Sequence, residues 1–137
     1  MQGKVYRQAC MTLGLKPTEG TIGKMIKKVG QVPLISQPGE EFHYGMSVDV
    51  LGYLIEVISK MPLDEFLTKH IFEPLKMQDT YFSLPQNMFP RLATLYKMGS
   101  DGKLIPASGY FPYPKEQTYF SGGAGLVSTI ADYARFA

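Results

Sequence analysis

The segment PGEEFHYGMSVDVLGYLIEVISK, which runs from Pro38 to Lys60, largely decides the predicted fold. It begins with Pro38-Gly39, a dipeptide typical of a turn. From Ser47 onward, four polar residues recur at helical spacing, namely Asp49, Tyr53, Glu56 and Lys60. Nearly all the other positions are apolar and cover a wide arc. This pattern predicts a helix over 47–60 that is buried on most sides.

Two residues of this segment attract particular interest. Gly52 lies in the middle of the predicted helix, where glycine costs about 1 kcal/mol relative to alanine. A helix tolerates that cost where another backbone approaches closely, so we expect a neighbouring segment at Gly52. Tyr44 stands just before the helix, where its hydroxyl can point off the end of the element into a cleft.

The elements predicted on either side are short. In chain order they are helices over 1–15 and 22–29, a helix over 63–71 after Pro62, an extended segment over 77–84, a hairpin formed by 92–98 and 103–106, and a last helix capped by Ser128 or Thr129. Thr18 or Thr21 would cap the helix over 22–29, and Gly30 would end it. The proline-rich segment 106–117 is predicted to be an irregular loop.

Composition limits the possible functions. The chain has 137 residues, 45% hydrophobic and 19% charged, with a net charge of +2, which leaves no basic surface typical of nucleic-acid binding. No apolar run is long enough for a membrane span. A single cysteine, Cys10, excludes an internal disulfide and leaves the compartment undecided. Because the chain ends within an apparent helix, we expect residues 1–137 to be a single partial domain, cut at both ends.

Three segments carry a family resemblance when they are taken in order. They are PGE-x-F-x-Y at 38–44, I-F-x-P-L-x-M-x-x-T at 71–80 and S-G-G-A-G-L-x-S-T at 121–129. Over about residues 33–137 the sequence resembles the serine β-lactamase-like hydrolases, above all the class C β-lactamase-related carboxylesterases and penicillin-binding-protein-like enzymes. The resemblance implies an α+β fold of which this chain is the mostly helical lobe with one hairpin, the core antiparallel sheet being largely missing.

The resemblance also implies a chemistry. Enzymes of this kind form an acyl-enzyme on small-molecule esters, amides or β-lactams without a metal or an organic cofactor, using a Ser-x-x-Lys motif and a tyrosine in a Tyr-x-Asn-like motif. Tyr44 matches that tyrosine, and Met46 replaces the asparagine, which favours ester hydrolysis over β-lactam hydrolysis. The loop containing Gly122 and Gly123 matches one that borders the substrate cleft, although a tight turn leading into a helix explains these glycines equally well. The structural alternative for Tyr44 is a packed ring with its hydroxyl bonded to a backbone carbonyl.

The nucleophile is not evident in this chain. The sequence contains one Ser-x-x-Lys, at Ser100 to Lys103, and it falls in the predicted hairpin turn. Residues i and i+3 of a turn do not stack on one face as they do on a helix. The resemblance therefore places the nucleophile upstream of Met1, and we expect the 137-residue chain alone to be inactive. A Lys-Thr-Gly or His-x-Gly motif is also missing.

Other candidate sites have simpler interpretations. Ser47 lies in a near match to the G-x-S-x-G elbow, but Asp49 occupies the last position, so we interpret Ser47 as a helix N-cap. His43 and His70 are far apart in sequence, and no spacing joins them into a metal site. The glycine-rich loop lacks the G-K-[ST] of a phosphate loop. The alternative to an enzyme is a non-catalytic binding or scaffold protein that keeps this fold.

Overall fold

A computed structural model describes residues 20–34, 36–107 and 117–137. Its elements are helices α1 (Ile22–Val29), α2 (Ser47–Ser59), α3 (Leu63–Leu67) and α4 (Ile130–Phe136), strands β1 (Tyr96–Met98) and β2 (Leu104–Pro106), a π-helical turn (Thr68–Phe72) and a 3₁₀ helix (Gln86–Arg91). Helices with one small antiparallel sheet confirm the predicted α+β class. The predicted helix over 1–15 and the loop residues 108–116 lie outside the described residues.

Helix α1 has the caps that its sequence predicts. The side chain of Thr21 accepts a hydrogen bond of 3.3 Å from the backbone N–H of Lys24, and the chain leaves the helix at Gly30. Ile22 and Met25 are buried against Tyr119, which lies almost a hundred residues later in the sequence. Because a β-carbon added to Gly23 would come within 2.7 Å of the Tyr53 ring, α1 and α2 pack closely there.

The buried face of α2 is not the face that the sequence predicts. The sequence pattern predicts burial of the apolar arc, but that arc is exposed, with Leu51 at 56% and Ile58 at 73% of full exposure. The face that packs inward instead carries Asp49, Gly52 and half-buried Tyr53. The prediction of a helix buried on most sides is therefore wrong for this chain, because the described elements contact α2 along its polar and glycine side.

The junction between α2 and α3 is held by a side chain of α2. Glu56 accepts a hydrogen bond of 3.0 Å from the backbone N–H of Leu63, the first residue of α3, and so satisfies one of the free N–H groups of that helix end. The Leu63 side chain is fully buried. The predicted helix over 63–71 exists, although from Thr68 it continues as a π-helical turn.

The extended segments are less regular than predicted. The hairpin over 92–106 is confirmed, with Tyr96 opposite Pro106 and Met98 opposite Leu104. By contrast, the predicted extended segment over 77–84 is reduced to one isolated bridge between Tyr81 and Val127.

None of the helices in the described ranges is long and apolar enough to cross a membrane.

Candidate active site

The start of α2 presents Tyr44 to solvent. The segment 41–44 has no regular secondary structure, and the Tyr44 side chain is 94% exposed. Two residues later, Met46 turns inward and packs against the cluster of Ile22, Met25 and Tyr119. Met46 therefore holds the chain against the core immediately before the helix, while Tyr44, two residues earlier, is exposed to solvent. Within the described residues the Tyr44 ring packs against nothing, and its catalytic role stays a prediction.

Two other predictions concern the same turn. The residue before α2 is Met46, whose side chain makes no capping hydrogen bond, and Ser47 is already the first helical residue. The interpretation of Ser47 as the N-cap is therefore wrong. The negative charge of Asp49 in the first turn still favours this helix end electrostatically.

The glycine-rich loop is pressed against the first two turns of α2. A β-carbon added to Gly122 would overlap the carbonyl group of Val48 and come within 3.2 Å of the Gly52 α-carbon. A β-carbon added to Gly52 would lie 3.0 Å from the Gly122 α-carbon. This confirms the expected close backbone approach at Gly52. It also explains why residues without side chains are needed on both sides of the contact.

A buried hydrogen bond fixes the same contact. The Ser121 hydroxyl donates to Asp49 Oδ1 at 2.5 Å, and both residues are buried, at 3% and 6% exposure. The backbone N–H of Gly123 in turn donates to Ser121 Oγ at 3.2 Å. Because Ser121 is buried and its proton is directed at a carboxylate, we do not consider it a candidate nucleophile.

A groove runs between α2, α3 and the glycine-rich loop. Its volume is about 510 Å³, and its walls are mostly apolar. Gly122 and Gly123 line it, whereas Tyr44 and Met46 do not. The structure thus brings the two predicted cleft glycines to the first turn of the helix that Tyr44 and Met46 precede. Their roles in substrate binding stay predictions.

The Ser-x-x-Lys match lies in the hairpin turn, as the sequence predicts. The backbone N–H of Gly99 donates to the Lys103 carbonyl at 2.8 Å, and that of Gly102 donates to the Gly99 carbonyl at 3.1 Å. Ser100 is therefore part of a tight turn and not of a helix. The histidines also lie apart: His43 contacts Glu41 at 2.9 Å, and the His70 ring stacks on Phe66 with 4.6 Å between centroids. Across 20–34, 36–107 and 117–137, no group of ligands could hold a metal ion.

A second buried carboxylate, whose partners the sequence does not indicate, joins α4 to the segment around Thr80. Asp132 Oδ2 accepts hydrogen bonds from the Asp79 backbone N–H at 2.7 Å and from the Thr80 hydroxyl at 3.0 Å. Its other oxygen accepts from Arg135 at 2.8 Å. The Thr80 hydroxyl also lies 2.8 Å from that of Ser128. The contact between Thr80 and Ser128 joins the second resemblance segment to the third, and the bonds to Asp132 join the second segment to α4.

Burial and hydrogen bonding shift the pKa values of three carboxyls in the described part of the chain. Bidentate hydrogen bonds from the Arg91 guanidinium, with both N–O distances at 2.8 Å, lower the pKa of Asp79. Burial raises the pKa of Glu56 above its ordinary value, and the neighbouring carboxylate of Asp64 adds to that rise. Burial likewise raises the pKa of Asp64. None of these groups lines the groove beside the glycine-rich loop.

Comparison with known proteins decides the family. The sequence model of the β-lactamase family matches residues 8–137. The chain belongs to the β-lactamase family. An uncharacterized protein of Mycobacterium tuberculosis is 31% identical over 105 residues, which are 77% of this chain and 26% of that protein. ML-236A carboxylate methylbutanoyltransferase of Penicillium citrinum is 36% identical over 106 residues, 75% of this chain and 25% of the relative.

A solved structure shows the same fold. EstCE1, described as a hydrolase with promiscuous acyltransferase activity, superposes with a TM-score of 0.82 at 24% identity, over 96% of this β-lactamase-family chain and 38% of its own chain. The chain spans about a quarter of the length of the curated relatives described above. The family relationship is therefore firm, and the activity of the whole protein is a matter for proposal.

Proposed function

We propose that the protein containing these residues is a serine hydrolase or acyltransferase of the β-lactamase family that acts on carboxylic esters through an acyl-enzyme. In this reaction a serine hydroxyl attacks the ester carbonyl, and the alcohol leaves with a proton. Water or a second alcohol then takes the acyl group and restores the serine. The name of the methylbutanoyltransferase relative, at 36% identity, supports acyl transfer as the reaction class.

The observation that carries this proposal is the placement of Tyr44. Its ring is almost fully exposed, just before a helix whose first turn is locked to the glycine-rich loop. An exposed hydroxyl at that point can exchange a proton with a nucleophile or a leaving alcohol, as general acid–base catalysis requires. Met46, which stands where β-lactamases have asparagine, is turned into the core and offers no amide to a β-lactam side chain. Esters are therefore the substrates that we favour over β-lactams.

The nucleophile in this proposal is a serine outside the 137 residues. Ser100 and Lys103 are held in a hairpin turn, and Ser121 is buried with its hydroxyl donating a hydrogen bond to Asp49. Activation of a serine needs a base within hydrogen-bond reach and access to the substrate, and neither serine has both. We accordingly propose that the 137-residue chain by itself forms no acyl-enzyme.

Labelling with a fluorophosphonate probe tests both parts of the proposal. The complete protein should hydrolyse p-nitrophenyl esters and be labelled on one serine, located by peptide mapping, while the 137-residue chain stays unlabelled. A complete protein that neither turns over esters of any acyl length nor reacts with the probe would instead be a non-catalytic member of the fold. Stoichiometric labelling of one serine within the 137 residues would contradict the assignment of the nucleophile.

A further inference from the structure

A buried hydrogen bond joins Asp49 of α2 to Ser121 of the glycine-rich loop. They are 72 positions apart in sequence, both are buried, and the hydroxyl of one donates to the carboxylate of the other. Their bond crosses the contact between the first turn of α2 and the loop that carries Gly122 and Gly123. Hydrogen bonds to an ionised acceptor are stronger than neutral ones, so this link is well suited to hold a precise spacing.

The link extends one step further, into the loop backbone. The Ser121 oxygen accepts the N–H of Gly123, so the carboxylate, the hydroxyl and the loop amide form a chain of three groups. A β-carbon on Gly123 would lie 3.3 Å from Asp49 Oδ2, which places the carboxylate directly under the loop. The orientation of the Ser121 hydroxyl, and with it the direction of the Gly123 peptide, is thus set by Asp49.

The rest of the contact has little capacity to hold the loop without this link. Gly122 and Gly52 meet backbone to backbone and contribute no side chains to the packing. Gly123 is exposed, and Gly125 adopts a positive φ of 100°, so the loop backbone has alternatives that a residue with a β-carbon would not allow. The bond between Asp49 and Ser121 is therefore the buried side-chain interaction that holds this end of the loop, while the backbone bridge between Tyr81 and Val127 holds the segment that follows it.

We propose that Asp49 and Ser121 are positioning residues that hold the loop of Gly122 and Gly123 against the start of α2, the helix that Tyr44 precedes. They would thereby set the width of the groove between that loop and α2, which we assign to the acyl group of the substrate. This inference rests on the proposed function, because it assigns the link an effect on ester turnover. Asp49 does not line the groove, whereas Ser121 does at its buried edge; in this inference Asp49 acts through Ser121, and Ser121 acts through the Gly123 peptide.

The test uses the complete protein and compares Ser121→Ala with Thr80→Val. Thr80 is a fair control, since its buried hydroxyl also donates to a buried carboxylate in the first turn of a helix, at 3.0 Å, but lies away from the groove. Both variants should lower the melting temperature. Only Ser121→Ala should reduce kcat/KM, by roughly tenfold, because small misplacements at a reacting centre are costly. The loss should differ between short and long acyl chains, since the cleft has changed shape.

Two further variants test that Asp49 works through Ser121. Asp49→Asn keeps an oxygen acceptor for the hydroxyl and should retain most of the activity that Asp49→Ala loses. The double variant of Asp49→Ala and Ser121→Ala should be no slower than Ser121→Ala alone. If Ser121→Ala and Thr80→Val lose stability equally and keep the same acyl-chain profile as wild type, the link is merely structural and the inference is overturned.

Amide hydrogen exchange separates failure of this inference from failure of the proposed function. The Gly123 amide should exchange faster in Ser121→Ala than in wild type and stay unchanged in Thr80→Val. An inactive wild-type protein would end the proposed function, yet this exchange pattern would still support the positioning of the loop. Unchanged Gly123 exchange in Ser121→Ala would overturn the positioning role, whether or not the protein turns over esters.

Discussion

Asp49 and Asp132 are the same kind of residue in the same kind of place, yet their surroundings differ. Each is the third residue of its helix, each is buried, and each accepts a hydroxyl from a distant segment. Asp132 also receives a backbone N–H and an arginine, and Thr129 caps its helix. Asp49 receives the Ser121 hydroxyl beside the glycine-rich loop, on a helix with no side-chain cap. The Asp132 carboxylate therefore joins α4 to residues 79 and 80 by several bonds, whereas the Asp49 carboxylate joins α2 to the glycine-rich loop by one.

The largest expected effect on stability is at Asp132. Replacing it with alanine leaves the Asp79 N–H and the Thr80 hydroxyl without their acceptor and frees Arg135. Because bonds to a charged group contribute about 1.5–3 kcal/mol each, we expect Asp132→Ala to lose roughly 3 kcal/mol or more. Asp49→Ala, which removes one such bond, should lose about half of that. Denaturant unfolding of the complete protein measures both, and equal losses would contradict the distinction between the two carboxylates.

Gly122 should give the next largest effect. Gly122→Ala places a methyl group into the Val48 carbonyl, which must move together with the first turn of α2. Overpacking of this kind costs about 1–3 kcal/mol. Gly45→Ala is the matched control, because a β-carbon there meets nothing within 4 Å and should change little. Thermal melts of the two variants compare them directly; a neutral Gly122→Ala would mean that the loop does not press on the helix.

The smallest expected effect concerns pH. Burial raises the pKa of Glu56 from its ordinary 4.5, so the folded state favours the protonated form. Its contribution to stability is therefore greatest in acid and is lost as pH rises through the raised pKa. Glu56→Gln keeps an oxygen that can accept from the Leu63 N–H. Because glutamine does not ionise, the variant does not lose stability as pH rises. We expect it to match wild type near pH 3 and to be the more stable protein at pH 7.

Asp79→Asn provides the control of opposite sign. Hydrogen bonds from Arg91 lower the pKa of Asp79 from the ordinary 3.8. The contribution of ionised Asp79 to the free energy of unfolding is therefore present above pH 3.8 and is lost as pH falls through the lowered pKa. The variant should be less stable than wild type at pH 7 and converge with it in strong acid. Unfolding curves between pH 2 and 7 would be inconsistent with both assignments if the two variants shifted in the same direction.

The sequence predicts several local features correctly, although not the N-cap of α2 or the regularity of the extended segment 77–84. Thr21 and Thr129 are side-chain caps in the structure, the hairpin lies where the G-S-D-G turn places it, and Gly52 is a point of close backbone approach. Each of these features depends on the few residues around it. Local sequence therefore carries the information that fixes them.

What the sequence does not predict is which face of α2 packs inward. Polar residues at helical spacing ordinarily mark the solvent face, so Asp49 is expected outside. Its partner is Ser121, and that of Asp132 is Thr80, each pair more than fifty residues apart. Single-sequence patterns hold no information about such pairings. The only sequence signal was the Thr129-x-x-Asp132 spacing, which indicates a helix start but not the partner.

The most direct test of the central claim is to replace Tyr44 by phenylalanine in the complete protein. The hydroxyl makes no hydrogen bond within the described part of the chain and the ring is exposed, so its loss should leave the melting temperature unchanged. If that hydroxyl carries the proton in acyl transfer, kcat should fall by roughly 10²–10⁴-fold. Tyr133→Phe, which removes the hydroxyl of another exposed tyrosine, should keep wild-type kcat. A Tyr44→Phe enzyme within a few-fold of wild-type kcat would contradict the account.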